Sequence, residues 1–562
     1  MKIFKNPNYQ FIFFLFLFFV INVIQGSYTA LLEDEAYYWL WSQDMAFGYF
    51  DHPPMVALWV KLSSFFFSGE FGLRFMSTLS FSLMLWVIWL MIDFKDKQQH
   101  VVLFYLLIVS MAMIQIYGFI ITPDTPLVLF TALFLLAYKR FLQKETFLNV
   151  VFLAVAMAGM LYSKYHGILV IGFVVISNWT LLKNKNFWMA AGFGFLLFTP
   201  HLIWQYENDF PSFLYHLKER GREPYTIVNS LIHLVNMIAV VGITFPLIYA
   251  AFFKHKTTNK FELSLKYIVY GFFVFFLISS FKSLPQAQWV VIILIPLTLL
   301  TFPYFAKNQK ARKWLAILGC IQLVIILSVR VFLASPSISP VVLEPHLAQE
   351  WVPELKKNTD AKPIVFVNSY RYASLYTFYT GIKTHSYSVL KGRKSQYNLN
   401  DYEAKIQGEN IYSATTFIKD QPKLAKKNNS ALYGKPISNY NTFEKVKCII
   451  DLDTLLIKKE KSNFQFRFIN TYAKNITFGE VRFIGVFQGY RNKIIAKVPL
   501  EVQYPNSLDA KKEIVLTGSF DTPDLDASEE LSFRVALEFY GLLEGFQGNK
   551  VPVSFDYITI NN

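Results

Sequence analysis

LLEDEAYYWLWSQDMAFGYFDHPPMVALWVKL, residues 31–62, sets Glu33, Asp34, Glu35, Asp44, Asp51 and His52 among Tyr37, Tyr38, Trp39, Trp41, Tyr49 and Trp59. Its apolar and aromatic periodicity predicts short helices lying in a membrane interface, where Trp and Tyr suit the headgroup level. Pro53–Pro54 ends one of them, because proline lacks the N–H and restricts the residue before it. Carboxylates are thereby held close to lipid, and ionisable groups at membrane depth mark function more often than ordinary surface charge does. The cluster carries that reading through Asp34, Asp51 and His52. Glu33, Glu35 and Asp44, each taken singly, read as solvated loop carboxylates.

The chain around this stretch is built for a bilayer. Of 562 residues, 54% are hydrophobic and 17% charged, more apolar than soluble domains. A crossing needs about 20 mainly apolar residues, and about eleven such runs precede residue 335, centred near Phe18, Leu85, Ser110, Leu133, Ala156, Ile171, Leu196, Val240, Phe273, Ile295 and Ile325. With the N-terminus in the cytoplasm, DFKDKQQH from Asp93, KRFLQKE from Lys139, KNKN from Lys183, KHKTTNK from Lys254 and AKNQKARK from Ala306 all fall on that side. This is the positive-inside pattern. The net charge of +15 therefore reports topology. Residues 1–334 hold 25 Lys/Arg against 15 Asp/Glu, and residues 335–562 hold 29 against 24, so neither part has the concentrated basic face that nucleic acid requires. Cys320 and Cys448 lie in different kinds of segment and predict no disulfide.

An odd number of crossings puts the polar tail outside the cytoplasm. PIVFVNSYRYASLYTFYTG from Pro363 reads as a buried strand followed by an amphipathic helix, and after Lys447 short alternating runs such as NFQFRFINTYA and GEVRFIGVFQGY predict a β-sandwich. The expected divisions are 1–335, membrane domain; 336–446, small extracytoplasmic α/β region; and 447–562, β-sandwich. Asp521, Asp524 and Asp526 depart from the spacing of a calcium loop and read as an acidic turn.

Three further outer connections carry charge. ITPDTPL holds Asp124, YSKYHG holds Lys164 and His166, and IWQYENDFPSFLYHLKERGREPYT holds His216, Arg220 and Arg222. The guanidinium fork matches phosphate oxygens, and basic groups on the outer face run against the positive-inside trend. Carboxylates beside a phosphate-sized basic group suggest transfer chemistry from a lipid phosphate.

EDEAYYW at Glu33, GYFDHPP at Gly48, TPDTPL at Thr122, SKYHG at Ser163 and HLIWQYENDFPSF at His201, taken in order and spacing, resemble lipid-linked-sugar glycosyltransferases of the GT-C type. The pattern is similar to the bacterial protein O-mannosyltransferase and aminoarabinose (lipid A) transferase superfamily, over about residues 1–335 and more weakly into SYRYASLYTFYTG and GRKSQYNL. The resemblance implies a polytopic GT-C-like helical bundle in the bacterial inner membrane. It implies an enzyme that moves a sugar from a polyprenyl-phosphate donor to an extracytoplasmic acceptor: lipid A, envelope glycan or protein. It places the acidic residue of the first outer loop at Asp34 and the second, before the prolines, at Asp51. His52 stands where aminoarabinose transferases have lysine, and the basic residue of the long loop falls at Arg220 or Arg222.

The chemistry expected of such a site is general-base help to a poor nucleophile, assigned to Asp34 with Asp51 as its catalytic partner, and cationic stabilisation of the departing phosphate by Lys164, Arg220 and Arg222. Glu35, Tyr37, His52, Asp124, His166 and His216 are the expected substrate contacts. No cofactor is obligatory; a divalent ion at Asp51, His52 and His216 lacks tight ligand spacing. The competing reading is a multi-pass transporter or flippase, but transporters place polar groups near the bilayer midplane, and here charge gathers in connections on one face.

Overall fold

The structure, a computed structural model, describes residues 6–219, 225–427 and 430–556. It divides into two compact units, residues 1–348 and 349–562.

The first unit is helical: α1 (Pro7–Tyr28), α2 (Glu33–Gln43), α3 (Met55–Phe66), α4 (Gly69–Met91), α5 (Val101–Val109), α6 (Ala112–Tyr117), α7 (Asp124–Gln143), α8 (Phe147–Ser163), α9 (Gly167–Ser177), α10 (Lys185–Glu207), α11 (Pro211–Leu214), α12 (Ile227–Val241), α13 (Phe245–Lys254), α14 (Lys260–Ser279), α15 (Leu294–Lys307) and α16 (Gln309–Ala334). Five helices that follow polar or basic segments share a start signal. The side chains of Asn6, Thr146, Asn184, Asn259 and Asn308 accept from backbone N–H groups in the first turns of α1, α8, α10, α14 and α16, satisfying donors the helix itself cannot.

Among the described residues, seven helices are individually long and apolar enough to cross a membrane, or eight if α12 and α13, bent by 92°, form one broken span. The expectation of about eleven crossings treated every apolar run as a full span. Each expected centre does fall in an apolar helix or at its end, but the helices around Ser110, Ala156 and Ile171 are shorter. Two runs are broken where hydropathy shows none, after Ser110 and at Gly242. The breaks meet: Thr244 Oγ1 donates to the Ser110 carbonyl (2.5 Å), Ile243 N–H donates to Gln322 Oε1 (2.8 Å), and Gln322 Nε2 donates to the Val241 carbonyl (3.1 Å). Backbone groups released inside a bundle must find such partners. Gly242, at φ +88°, occupies a conformation L side chains rarely adopt.

The second unit contains most of α17 (Glu344–Asn358), then β1 (Ile364–Val367), α18 (Tyr370–Thr380), β2 (Thr384–Tyr387), β3 (Ile411–Ala414), the hairpin β4 (Lys423–Lys427) and β5 (Ser430–Tyr433), and β6 (Pro436–Ile437). β1 pairs in parallel with β2 and β3, Ile364 opposite Thr384 and Tyr412, and β6 closes the other side of β3 antiparallel. The sandwich follows: β7 (Lys447–Ile449), β8 (Leu455–Ile457), β9 (Lys461–Ile469), β10 (Ile476–Thr477), β11 (Val481–Gln488), β12 (Ile494–Pro499), β13 (Glu501–Val502), β14 (Ser507–Leu508), β15 (Glu513–Asp521), β16 (Ser532–Phe539) and β17 (Val551–Phe555). Its sheets run β12-β11-β16-β17-β8 and β13-β15-β9-β7, joined by Phe464, Phe466, Phe483, Phe520 and Phe533. The alternation in NFQFRFI places Phe464, Phe466 and Phe468 inward, as a period of two demands. One hydrophobic core runs from Val365 and Tyr387 through Phe443 and Val446 into Phe466 and Phe539. The expected division at 447 is thus a change of secondary structure within one packed body.

Candidate active site

Three consecutive carboxylates open α2, and helical geometry sends them different ways. Glu35 is fully buried and ion-paired to the equally buried Arg74 of α4. Arg74 Nε donates to Glu35 Oε1 (2.8 Å), which also accepts from Ile121 N–H (3.0 Å), while Glu35 Oε2 accepts from Leu32 N–H (3.0 Å). Arg74 Nη1 meets the carbonyls of Gly26 (3.0 Å) and Thr29 (2.5 Å), and Nη2 that of Ala30 (3.1 Å). Glu35, expected to contact substrate, is therefore a brace. It ties the end of α1, the start of α2, α4 and the segment before α7 together. Asp34, about 100° round the helix, stays half-buried. Its field and that of Asp124 both reach the Tyr117 hydroxyl, so these two carboxylates face one region.

Asp124 stands at the start of α7 and Lys164 at the end of α8. Both are buried, and Lys164 Nζ donates to both oxygens of Asp124 at 2.8 Å. The cation expected on the donor phosphate is thus charge-compensated by the residue expected beside the substrate. His166 begins α9, its ring against Phe276 (5.3 Å) and Trp289 (5.7 Å).

The GYFDHPP loop is pinned by the end of α10 and by α11. Gly48 lies so close to Trp204 that an added Cβ meets the ring at 2.2 Å. Ser212 Oγ donates to the Tyr49 carbonyl (2.7 Å) and His216 Nε2 to the Asp51 carbonyl (2.8 Å). His201 is fully buried, with Nδ1 2.6 Å from the Phe47 carbonyl and Nε2 3.0 Å from the Tyr165 hydroxyl. This arrangement fixes a tautomer protonated at Nδ1, with Tyr165 donating to Nε2 and accepting from Gln205 (3.1 Å). Burial pushes the Tyr165 hydroxyl up, so it remains neutral. Asp51 is buried, and His52 lies 5.9 Å from the His216 ring and 6.5 Å from that of Tyr38, one turn along α2 from Asp34. Tyr37, buried, packs edge-on against Trp41 at 4.8 Å.

Asp34, Asp51, His52, Asp124, Lys164, His166 and His216 thus occupy one end of the bundle. Arg220 and Arg222 lie outside the described residues. A supporting polar layer, His201, Gln205 and Ser212, escaped the sequence reading as a set although HLIWQYENDFPSF contains all three; an i, i+4 pair of polar residues inside an apolar helix was the available signal. His216 spends Nε2 on a backbone carbonyl. Among the described residues the one His/Cys/Asp/Glu group spaced for a metal lies elsewhere, in the second unit.

A multi-pass helical bundle carrying carboxylates, an imidazole cluster and a buried Lys–Asp pair at one end, with an α/β and β-sandwich tail, has the architecture of a GT-C membrane glycosyltransferase. Residues 51–204 match the family described as dolichyl-phosphate-mannose-protein mannosyltransferase. The chain is similar in structure to ArnT from Cupriavidus metallidurans in the apo state, at 13% identity and TM-score 0.55, covering 75% of this chain and 97% of that one. It is similar to ArnT from Cupriavidus metallidurans bound to undecaprenyl phosphate at 14% identity and TM-score 0.54, with the same coverage. No curated protein sequence matches the chain. The fold is shared with these enzymes, and a quarter of the chain lies outside that match.

Proposed function

We propose that this protein transfers a hexosyl or pentosyl group from a polyprenyl-phosphate donor to an acceptor outside the cytoplasm, lipid A, an envelope glycan or a protein, in a bacterial inner membrane with its N-terminus cytoplasmic and its tail extracytoplasmic. The observation that carries this is the convergence of Asp34, Asp51, His52 and the Asp124–Lys164 pair at one end of the bundle. Undecaprenyl phosphate, the ligand of the similar ArnT structure, is the class of carrier the site would take.

In the reaction, the acceptor O–H or N–H attacks the anomeric carbon and its proton passes to the Asp34 carboxylate. The bond from that carbon to the phosphate oxygen breaks, its electron pair leaves with the polyprenyl phosphate, and the anomeric centre inverts. Arg220 and Arg222 of the long loop are assigned to the charge that develops on the leaving group, with Lys164 contributing only as far as its pair with Asp124 lets its ammonium turn to the phosphate. Asp51, His52 and His216 hold the sugar and keep Asp34 in register, and Tyr37 and His166 shape the walls. No cofactor is required by these steps, and chelation tests whether a divalent ion assists.

Mass spectrometry of lipid and envelope-glycan fractions from cells with wild-type protein, Asp34→Asn protein and none tests this reading. Loss of one glycosylated species in both defective strains, with accumulation of a polyprenyl-phosphate-sugar, identifies donor and acceptor together. A wild-type profile from Asp34→Asn overturns the assignment of the base.

A further inference from the structure

Three groups far apart in sequence meet inside the second unit. His385 comes from β2, Glu403 from the short turn of helix at Tyr402–Ile406, and Glu444 from the segment that leads into the sandwich. Their side chains are 0%, 2% and 7% exposed, and one ligand atom from each lies within 4.8 Å of the other two. His385 Nε2 and Glu444 Oε2 are 2.5 Å apart, and Asn398 Nδ2 donates to Glu444 Oε1 at 2.5 Å. Glu403 is less well served. Its Oε1 is buried without a hydrogen-bond partner, its carboxylate meets the Tyr472 hydroxyl at 3.4 Å and the Thr442 side chain, and Lys445, 3.8 Å away, is already paired with Asp401.

An isolated carboxylate is costly to bury, and two beside one another are costlier. Glu403 and Glu444 set two buried carboxylates beside one imidazole, while Lys445 is engaged with the exposed Asp401. A divalent cation held between the carboxylates and the imidazole compensates both charges. Ligand atoms around a tetrahedral zinc ion stand about 3.3–3.6 Å apart, given arms of about 2.0–2.2 Å. The cluster brackets that spacing, and replacing the proton between His385 and Glu444 opens it to the required distance. An imidazole nitrogen in the set favours a zinc-type ion over calcium or magnesium, which take oxygen ligands.

We propose that His385, Glu403 and Glu444 form a structural site for a zinc-type divalent ion, which ties β2 and the turn at Tyr402–Ile406 to the segment that leads into the sandwich. This site is independent of the transfer chemistry in the membrane unit. Full-length protein in detergent, stripped with chelator and then dialysed against zinc, is expected to retain about one zinc per chain by elemental analysis and to unfold at a higher temperature than the stripped form. Glu403→Gln keeps the side-chain shape and is expected to lose that zinc while eluting as wild type; His385→Ala is expected to lose it too. Cobalt in place of zinc is expected to give a visible ligand-field spectrum in wild type that Glu403→Gln lacks. If wild type retains no stoichiometric zinc, or if Glu403→Gln retains as much as wild type, the proposal fails, the second result placing the ion elsewhere. Should either variant not fold, the wild-type stoichiometry and the cobalt spectrum decide the matter.

Discussion

Asp34 and Glu35 are chemically similar neighbours with opposite duties. Asp34→Asn removes a proton acceptor from a half-buried position, so transfer is expected to fall about 10²–10⁴-fold, while thermal unfolding in detergent stays near wild type. Glu35→Gln takes the carboxylate charge out of the buried pair with Arg74. Breaking a buried pair from one side costs about 3–5 kcal/mol, so its unfolding midpoint is expected to drop clearly, with turnover falling only as folded protein is lost. Equal effects of the two substitutions on both readouts would refute this division of labour. The Asp124–Lys164 pair is expected to behave as a unit: Asp124→Asn and Lys164→Met each destabilise, and the double variant destabilises by less than their sum, a coupling that a double-mutant cycle measures. Nothing in EDE tells which carboxylate turns inward, because Arg74 lies 39 residues away in sequence.

At the scale of elements, two features invisible to hydropathy position the site. One is the meeting of broken helices at Ser110, Gly242 and Gln322. Gln322→Leu strips the partners from Ile243 N–H and the Val241 carbonyl, each worth about 1–3 kcal/mol when left buried and unpaired. A lowered unfolding midpoint is expected, and an unchanged one would show that the backbone finds other partners. The other is the seat of the GYFDHPP loop against α10. Gly48→Ala forces Trp204 or the loop aside, displacing Asp51 and His52. Turnover is expected to fall at least tenfold through misplacement, with donor binding measured alongside; full activity would mean the loop has slack. Helix starts, in contrast, were readable: the asparagines before α10, α14 and α16 announce themselves in KNKN, TTNK and KNQK.

For the whole molecule, the shared core makes the tail one body. A chain ending at Val446 exposes Val365, Tyr387, Ile437 and Phe443, which pack against sandwich residues. Limited proteolysis is expected to digest the α/β region of that truncation rapidly while leaving it resistant in the full chain; equal resistance would separate the two regions. Composition, apolar run length and the sidedness of Lys and Arg determined from sequence alone that this is a multi-pass membrane protein with a polar, strand-rich tail. They also directed attention to the acidic and aromatic connections on one face, because hydrophobicity and charge are local properties that a bilayer sorts directly. Tertiary structure alone decided which carboxylate braces and which faces the site, that Lys164 is neutralised by Asp124, where apolar runs break, and that His385, Glu403 and Glu444 meet. Each of these rests on partners distant in sequence, up to the 134 residues between Thr244 and Ser110, and burial, which sets what a charge can do, exists only once those partners have been brought together.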